Sequence, residues 1–69
     1  MKTVIKNYGV KGYKTNVDFD NYDSEIISDY GLTKKMAMSI AKEEIECGKW
    51  YAVKYQSECR EDIEILYKK

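Results

Sequence analysis

Residues 33–57 read TKKMAMSIAKEEIECGKWYAVKYQS, a helix pattern followed directly by a strand pattern. Thr33 is a candidate N-cap, and Gly48 stands at the position after a helix that glycine commonly fills. Good helix formers occupy residues 34–47 between these two signals. Lys34 and Lys35 begin the helix against its macrodipole, so they either contact something anionic or are ordinary solubilising residues.

On a helical wheel the apolar residues of this segment cover one broad arc. The arc consists of Met36, Ala37, Met38, Ile40, Ala41 and Ile45. The two alanines predict a helix that lies close to a sheet. Glu44 falls near the centre of the arc. Its side chain either reaches solvent or a lysine, or is a buried acid with a raised pKa.

The segment after the helix predicts a strand over residues 49–57, because its side chains alternate between two faces. Tyr51, Val53 and Tyr55 take one face, and Trp50, Ala52 and Lys54 take the other. Residues 57–62 are a polar connection, and residues 63–67 predict a final strand. We expect these last two strands to form a hairpin.

The first half of the chain predicts another hairpin. Lys2–Tyr8 reads as a strand, Gly9–Gly12 as a turn, and Tyr13–Phe19 as a strand that alternates cleanly. Tyr13, Thr15, Val17 and Phe19 share one face. We expect the sheet faces that carry Tyr13, Tyr51 and Tyr55 to lie against the helix. Residues 21–30 fit a helical turn, a short edge strand or a loop, and the mixture of acids and tyrosines in residues 18–30 favours a surface loop.

The predicted order is therefore β-β-short element-α-β-β in one domain that spans residues 1–69. The predicted class is α+β, with one main helix packed on one face of an antiparallel sheet of about four strands.

The amino-acid composition argues against several classes of function and site. The chain has seven tyrosines but no histidine or proline, and it shows no nucleophile–base pair, so we expect neither an enzyme nor a cofactor. Cys47 and Cys59 lack zinc-ligand spacing, and an extended strand of roughly 30 Å between them disfavours a disulfide. Free thiols, with no signal peptide or membrane span in the sequence, predict a cytoplasmic protein.

Charge is segregated although the formal net charge is zero. Residues 1–14 carry four lysines and no acid, whereas residues 15–33 carry five acids and no base. The acidic segment is the predicted protein-binding site, formed by Asp18, Asp20, Tyr22, Asp23, Glu25, Asp29 and Tyr30. It is either a solvated edge or a patch that docks a basic partner. An EF-hand is excluded, because Tyr22 replaces an oxygen ligand and Asp23 replaces glycine.

The alternative is a nucleic-acid-binding domain in which lysines and an aromatic strand contact the ligand. Its residues are Lys2, Lys6, Lys11, Lys14 and Trp50. The zero net charge and the scarcity of arginine disfavour it, and core packing explains Trp50 equally well.

Tyrosine and tryptophan are frequent interface anchors, so the leading hypothesis is a protein-binding module. In length and composition alone, the chain resembles the small accessory proteins of phages and mobile elements, anti-CRISPR proteins among them. That resemblance implies inhibition or modulation of a host or defence enzyme by direct contact. The partner is not identified by any motif, and a homodimer is compatible with either hypothesis.

Overall fold

The computed structural model describes residues 7–59 and 62–68, which form four strands and two helices. In chain order the elements are β1 (Tyr8–Tyr13), α1 (Asn16–Asp20), β2 (Glu25–Leu32), α2 (Lys34–Glu46), β3 (Ala52–Ser57) and β4 (Ile63–Tyr67). The strands form one antiparallel sheet in the order β2-β1-β3-β4, and α2 packs on one face. The predicted α+β class, four-stranded sheet and single main helix are confirmed.

Both predicted ends of the main helix are correct. The Thr33 hydroxyl oxygen accepts a hydrogen bond from the Met36 backbone N–H at 3.2 Å, which satisfies a donor that the first turn leaves free. Beyond the end of α2, Gly48 has a φ of 77°, a conformation that glycine adopts without steric cost.

The core lies between α2 and the two central strands. Its buried residues are Val10, Ala37, Ala41, Trp50, Val53 and Tyr55. Ala37 and Ala41 have no exposed surface, so their small side chains bring α2 close to the sheet as predicted. Met36 is different: the wheel places it in the apolar arc, but it is 49% exposed at the first turn of the helix.

The C-terminal hairpin is also as predicted, with Ala52 opposite Tyr67 and Gln56 opposite Ile63. Side chains that lie directly opposite each other in an antiparallel pair share one face. Val53 and Tyr55 therefore lie under α2, and Ala52 is on the other side. The predicted alternation fails just before the strand begins, because Trp50 enters the core while Tyr51 packs beside Tyr67 on the opposite side.

The predicted N-terminal hairpin is wrong within the described residues. Residues 9–12, expected as a turn, lie inside β1, and residues 16–20, expected as a strand, form α1. The Thr15 hydroxyl oxygen accepts a hydrogen bond from the Asp18 backbone N–H at 3.1 Å, which makes Thr15 an N-cap. The alternating pattern of residues 13–19 therefore competed with a helix-start signal, and the helix formed. Most of the predicted strand Lys2–Tyr8 lies outside the described residues.

The glycines of β1 permit close approach rather than a turn. A Cβ on Gly12 would lie 2.5 Å from a ring atom of Trp50, and a Cβ on Gly9 would lie 3.2 Å from the ring of Tyr30. Glycine inside a strand commonly marks such a contact, because it leaves room for another group above the backbone.

Of the three structures left open for residues 21–30, the edge strand is correct from Glu25 onward. β2 pairs with β1 and continues through Gly31, whose φ is 133°. The short element therefore precedes the second strand, whereas the sequence pattern placed it after that strand.

Candidate functional site

The sheet face opposite α2 carries a mixed surface of apolar, aromatic and lysine side chains. The strand register and the side-chain contacts assign to this open face Gly9, Lys11 and Tyr13 of β1, Ile26 and Tyr30 of β2, Ala52, Lys54 and Gln56 of β3, and Ile63, Ile65 and Tyr67 of β4. None of the described elements other than α1 packs on it. The open face is thus the side of the sheet that α2 leaves uncovered.

The short helix α1 covers one end of the open face and builds an aromatic cluster there. The ring of Phe19 lies 5.0 Å from that of Tyr13 and 5.6 Å from that of Tyr67, both in edge-to-face arrangements. Tyr51 completes the cluster, with its ring 5.8 Å from that of Phe19. Such pairs are favourable beyond simple burial, so the cluster holds α1 in place against the sheet.

Beside this cluster lies a shallow hollow of about 370 Å³. Its lining residues are Tyr13, Phe19, Asp20, Tyr22, Lys54, Ile63 and Ile65. Ile63 is 44% exposed, Ile65 is 37% exposed and Tyr22 is 87% exposed. The hollow therefore offers apolar side chains to solvent, with one carboxylate and one ammonium at its border.

Two lysines stand side by side at the centre of the open face. Lys11 and Lys54 are register partners on the two central strands, and both are half-buried. The Lys54 ammonium lies 5.5 Å from the ring centroid of Tyr13, and the Lys11 ammonium lies 6.0 Å from that of Tyr30. No carboxylate of residues 7–59 and 62–68 is within 4.0 Å of either ammonium. Aromatic rings thus supply the only attractive contact identified for these charges in that part of the chain.

The far end of the open face is polar and closed. Gln56 is buried, and its side-chain N–H donates a hydrogen bond of 2.6 Å to the Tyr30 hydroxyl. The Tyr30 ring lies against the backbone of Gly9, which has no side chain to displace it. The polar groups described at this end are therefore paired with each other. In contrast, the hollow exposes apolar side chains, and the lysine pair has no acidic partner among the described residues.

On the other side of the sheet, a polar clasp made of Tyr8, Lys34 and Asp62 joins β1 and β4 to the start of α2. The Asp62 carboxylate accepts a hydrogen bond from the Tyr8 hydroxyl at 2.7 Å and lies 2.8 Å from the Lys34 ammonium. Lys34, and secondly Tyr8, lower the pKa of Asp62, which in turn raises the pKa of both partners. The ion pair accounts for a lysine at a helix N-terminus.

Next to the clasp, Tyr55 extends under α2 and donates a hydrogen bond of 2.7 Å to the Glu64 carboxylate. Burial, and secondly this bond, raise the pKa of Tyr55 to about 12. Glu44, left open by the sequence, is half-buried and accepts a hydrogen bond from the Trp50 indole N–H at 3.1 Å. Both carboxylates therefore anchor aromatic residues of the core, which is a structural role.

The predicted acidic site is only partly brought together. Asp20 and Tyr22 border the hollow, and Tyr30 lies on the open face. Glu25 forms an ion pair of 3.2 Å with Lys14, and the Asp29 carboxylate accepts from the Tyr30 backbone N–H at 2.8 Å. Asp18 and Asp23 belong to α1 and the turn after it, where a backbone hydrogen bond of 2.8 Å joins them. The segment is a helix and an edge strand, and not the surface loop that its composition suggested.

The residues of the nucleic-acid alternative separate in the structure. Trp50 is 5% exposed in the core, as the packing interpretation predicts, so its ring offers no face for a base. Lys11 lies on the open face, and Lys14 pairs with Glu25. Lys2 and Lys6 lie outside the described residues.

The sequence interpretation missed Lys54, Ile63, Ile65 and Tyr67 as surface residues. It also assigned Tyr13 and Phe19 to the helix side, although both lie on the opposite side of the sheet. One signal was present: β4 carries isoleucine and tyrosine on one alternation and Leu66 on the other. Apolar residues at both alternations indicate a strand whose two faces are both apolar.

Comparison of the chain with protein-family models, curated proteins and solved structures found no match. Within residues 7–59 and 62–68, no three Cys, Asp or Glu side chains are grouped so that they would hold a metal ion. In the same part of the chain, no helix has the length and apolarity needed to cross a membrane. Cys47 and Cys59 are free and exposed.

Proposed function

We propose that this protein is a binding module that contacts a protein partner through its open face. The observation that supports the proposal is the exposure of Ile63, Ile65 and Tyr67 along one edge strand, next to an apolar hollow. Small folded domains rarely leave a continuous apolar surface uncovered unless something binds there. Exposed tyrosines beside the hollow add the side-chain type that interfaces favour.

The biological role that we propose is inhibition or modulation of a host or defence enzyme by direct contact, without catalysis. It rests on the likeness in length and composition to phage and mobile-element accessory proteins, and it includes a cytoplasmic location. The hollow suits this role, because an inhibitor needs a preformed surface and no reactive group.

The test is a capture experiment with two matched variants. Ile63→Ser alters the hollow, whereas Met36→Ser alters an equally exposed apolar residue on α2, on the other side of the sheet. The tagged wild-type chain and both variants are incubated with lysate of the source cell, and retained proteins are quantified by mass spectrometry. We expect a retained protein that Ile63→Ser loses and Met36→Ser keeps. Equal retention by all three chains contradicts the use of the open face.

A nucleic-acid-binding function is the second candidate, because Lys11 and Lys54 stand beside Tyr30 and Tyr13 on the open face. Lysines next to aromatic rings occur in single-strand binding surfaces. Titration with a labelled oligonucleotide at 20 to 200 mM salt, a range of roughly tenfold, tests it, because phosphate contacts weaken steeply with salt. Absence of binding at the lowest salt concentration removes this candidate.

A homodimer, in which a second copy covers the open face, is the competing assembly. Sedimentation velocity over a range of protein concentrations distinguishes this homodimer from a monomer that binds a different partner. If the chain dimerises, Ile63→Ser will shift it toward monomer and Met36→Ser will not.

A further inference from the structure

The lysine pair at the centre of the open face defines what kind of partner the face accepts. We propose, on the basis of the binding function above, that the partner is a protein segment presenting an acidic side chain flanked by apolar ones. The acidic group would lie over Lys11 and Lys54, and its apolar neighbours would enter the hollow next to Ile63 and Ile65.

Covering the two lysines with apolar groups is costly. Both are half-buried, and no carboxylate among residues 7–59 and 62–68 pairs with either ammonium. A partner that covered them with purely apolar groups would remove two unpaired charges from water, which is strongly unfavourable. A carboxylate from the partner removes this penalty, and it gains a charge-assisted hydrogen bond in a partly dry surface.

The lysine pair lies close to the exposed apolar side chains of β4. Lys54 is opposite Ile65 on β4 and opposite Lys11 on β1. Across the sheet, Lys54 is therefore the direct neighbour of an exposed isoleucine, and Lys11 lies one strand further away. An occupant must place its negative group within one strand spacing of its apolar group, about 5 Å. Adjacent residues of a short peptide segment meet this requirement.

A second copy of the chain is not the preferred occupant of the open face. A symmetric dimer that met through this face would bring its own lysine pair toward that of its partner about a two-fold axis. Four ammonium groups would then share one interface. Among the described residues, Asp20 is the one carboxylate that lines the hollow. Like charges in an interface are costly, so contact between the open faces of two copies is unfavourable.

The charge of the open face favours a protein over a nucleic acid as its partner. A phosphate chain gains affinity by neutralising many cations, whereas the part of the open face that residues 7–59 and 62–68 form presents two lysines, in a chain of zero net charge. Asp20 borders the same hollow as Lys54 and would repel a phosphate backbone that followed the groove. A single carboxylate brings less negative charge near Asp20 than a phosphate chain does, so this repulsion is smaller for a protein partner.

The experiment is a selection of binders from a random 12-residue peptide library displayed on phage, with the wild-type chain as bait. We expect enriched peptides to carry Asp or Glu next to Leu, Ile, Phe, Tyr or Trp. For an enriched peptide made synthetically, replacing its acid with the matching amide should weaken binding about tenfold, because close charge pairs at interfaces couple by at least that factor. The Lys11→Met/Lys54→Met chain should bind the acidic and amide peptides equally. Lys11→Arg/Lys54→Arg should keep the preference.

The possible outcomes separate this inference from the proposed function. Enriched peptides without acids, or an acid preference that the double Met variant retains, overturn the inference while leaving the open face in use. Peptides that bind Ile63→Ser as well as wild type contradict both. A ten-nucleotide oligothymidine that binds more tightly than any peptide at low salt, or a stable dimer in sedimentation, also overturns the inference, because another occupant then covers the lysines.

Discussion

The two faces of the same four strands differ in what holds their side chains. Under α2, Val10, Val53 and Tyr55 are at most 1% exposed, and the polar tips near them are paired. On the open face, Ile63 and Tyr67 are about half exposed, and two lysines have no acidic partner among the described residues. The helix side therefore buries the side chains that stabilise the fold, whereas the open side leaves apolar side chains in contact with solvent.

The difference between the two faces is tested most strongly by replacing one aromatic residue on each face with alanine and comparing the losses of stability. Trp50→Ala should destabilise the chain by about 3–5 kcal/mol, because it leaves a core cavity and removes the donor to Glu44. That loss is comparable to the total stability of a domain of this size, about 3–10 kcal/mol. We expect the variant to be unfolded in circular dichroism spectra.

The matched change on the open face is Tyr67→Ala, which removes edge-to-face contacts with Phe19 and Tyr51. Aromatic pairs of this kind contribute about 0.5–1.5 kcal/mol, so this variant should stay folded and melt a few degrees lower. Two variants of equal stability would mean that the open face holds the fold as firmly as the core.

A pair of glycines gives a second comparison. Gly12→Ala places a Cβ against the buried ring of Trp50, and overpacking of this kind costs about 1–3 kcal/mol. Gly9→Ala meets the less confined ring of Tyr30 at 3.2 Å and should cost less. Urea unfolding of both variants measures the two costs. A larger loss for Gly9→Ala is incompatible with the packing described for the two faces.

The helix side should also respond to alkaline pH. Tyr55 has a folded-state pKa of about 12 against an ordinary value of 10.0, because burial and Glu64 disfavour its phenolate. The stability that it contributes is complete below pH 10, is lost as pH rises through 12, and is of the order of 2 kcal/mol. The Tyr55→Phe variant should lose less stability over that interval in urea titrations. Identical losses in both chains would show that Tyr55 is ionised as easily in the folded state as in the unfolded one.

The smallest effect on folding is expected at the hollow. Ile63→Ser should change the free energy of unfolding by less than about 1 kcal/mol, as at other exposed positions, and Met36→Ser should do the same. Thermal melts of both variants provide the measurement. A loss of several kcal/mol in Ile63→Ser alone would make Ile63 a core residue and remove the main support for a free binding face.

Local signals explain how much of the fold the sequence predicts. The helix cap at Thr33, the terminal glycine Gly48 and the alternation of Ala52 to Tyr55 are short-range features, and each is confirmed. The first half was predicted wrongly because its local signals conflict. Thr15 starts a helix within an alternating segment, and Gly12 resembles a turn residue until the ring of Trp50 is placed above it.

The candidate site was harder to predict than the fold, since a face is defined by contacts between residues distant in the chain. Alternation states which residues of a strand share a side, but not which side α2 covers. Tyr13 and Phe19 were therefore placed under the helix, and Lys54 was not recognised beside Lys11. Asp20, Tyr22 and Tyr30 were predicted at a surface because they lack an apolar period, and they lie at the hollow or on the open face.

Amide NMR of the ¹⁵N-labelled chain tests most directly whether the open face is the binding surface, as proposed. A partner from the capture experiment, or an enriched peptide, is titrated into the sample. We expect the largest chemical-shift changes at Lys11, Lys54 and Ile65, with Met36 on the outer side of α2 unchanged. Shifts that cluster on α2 and leave these three amides in place would contradict the account.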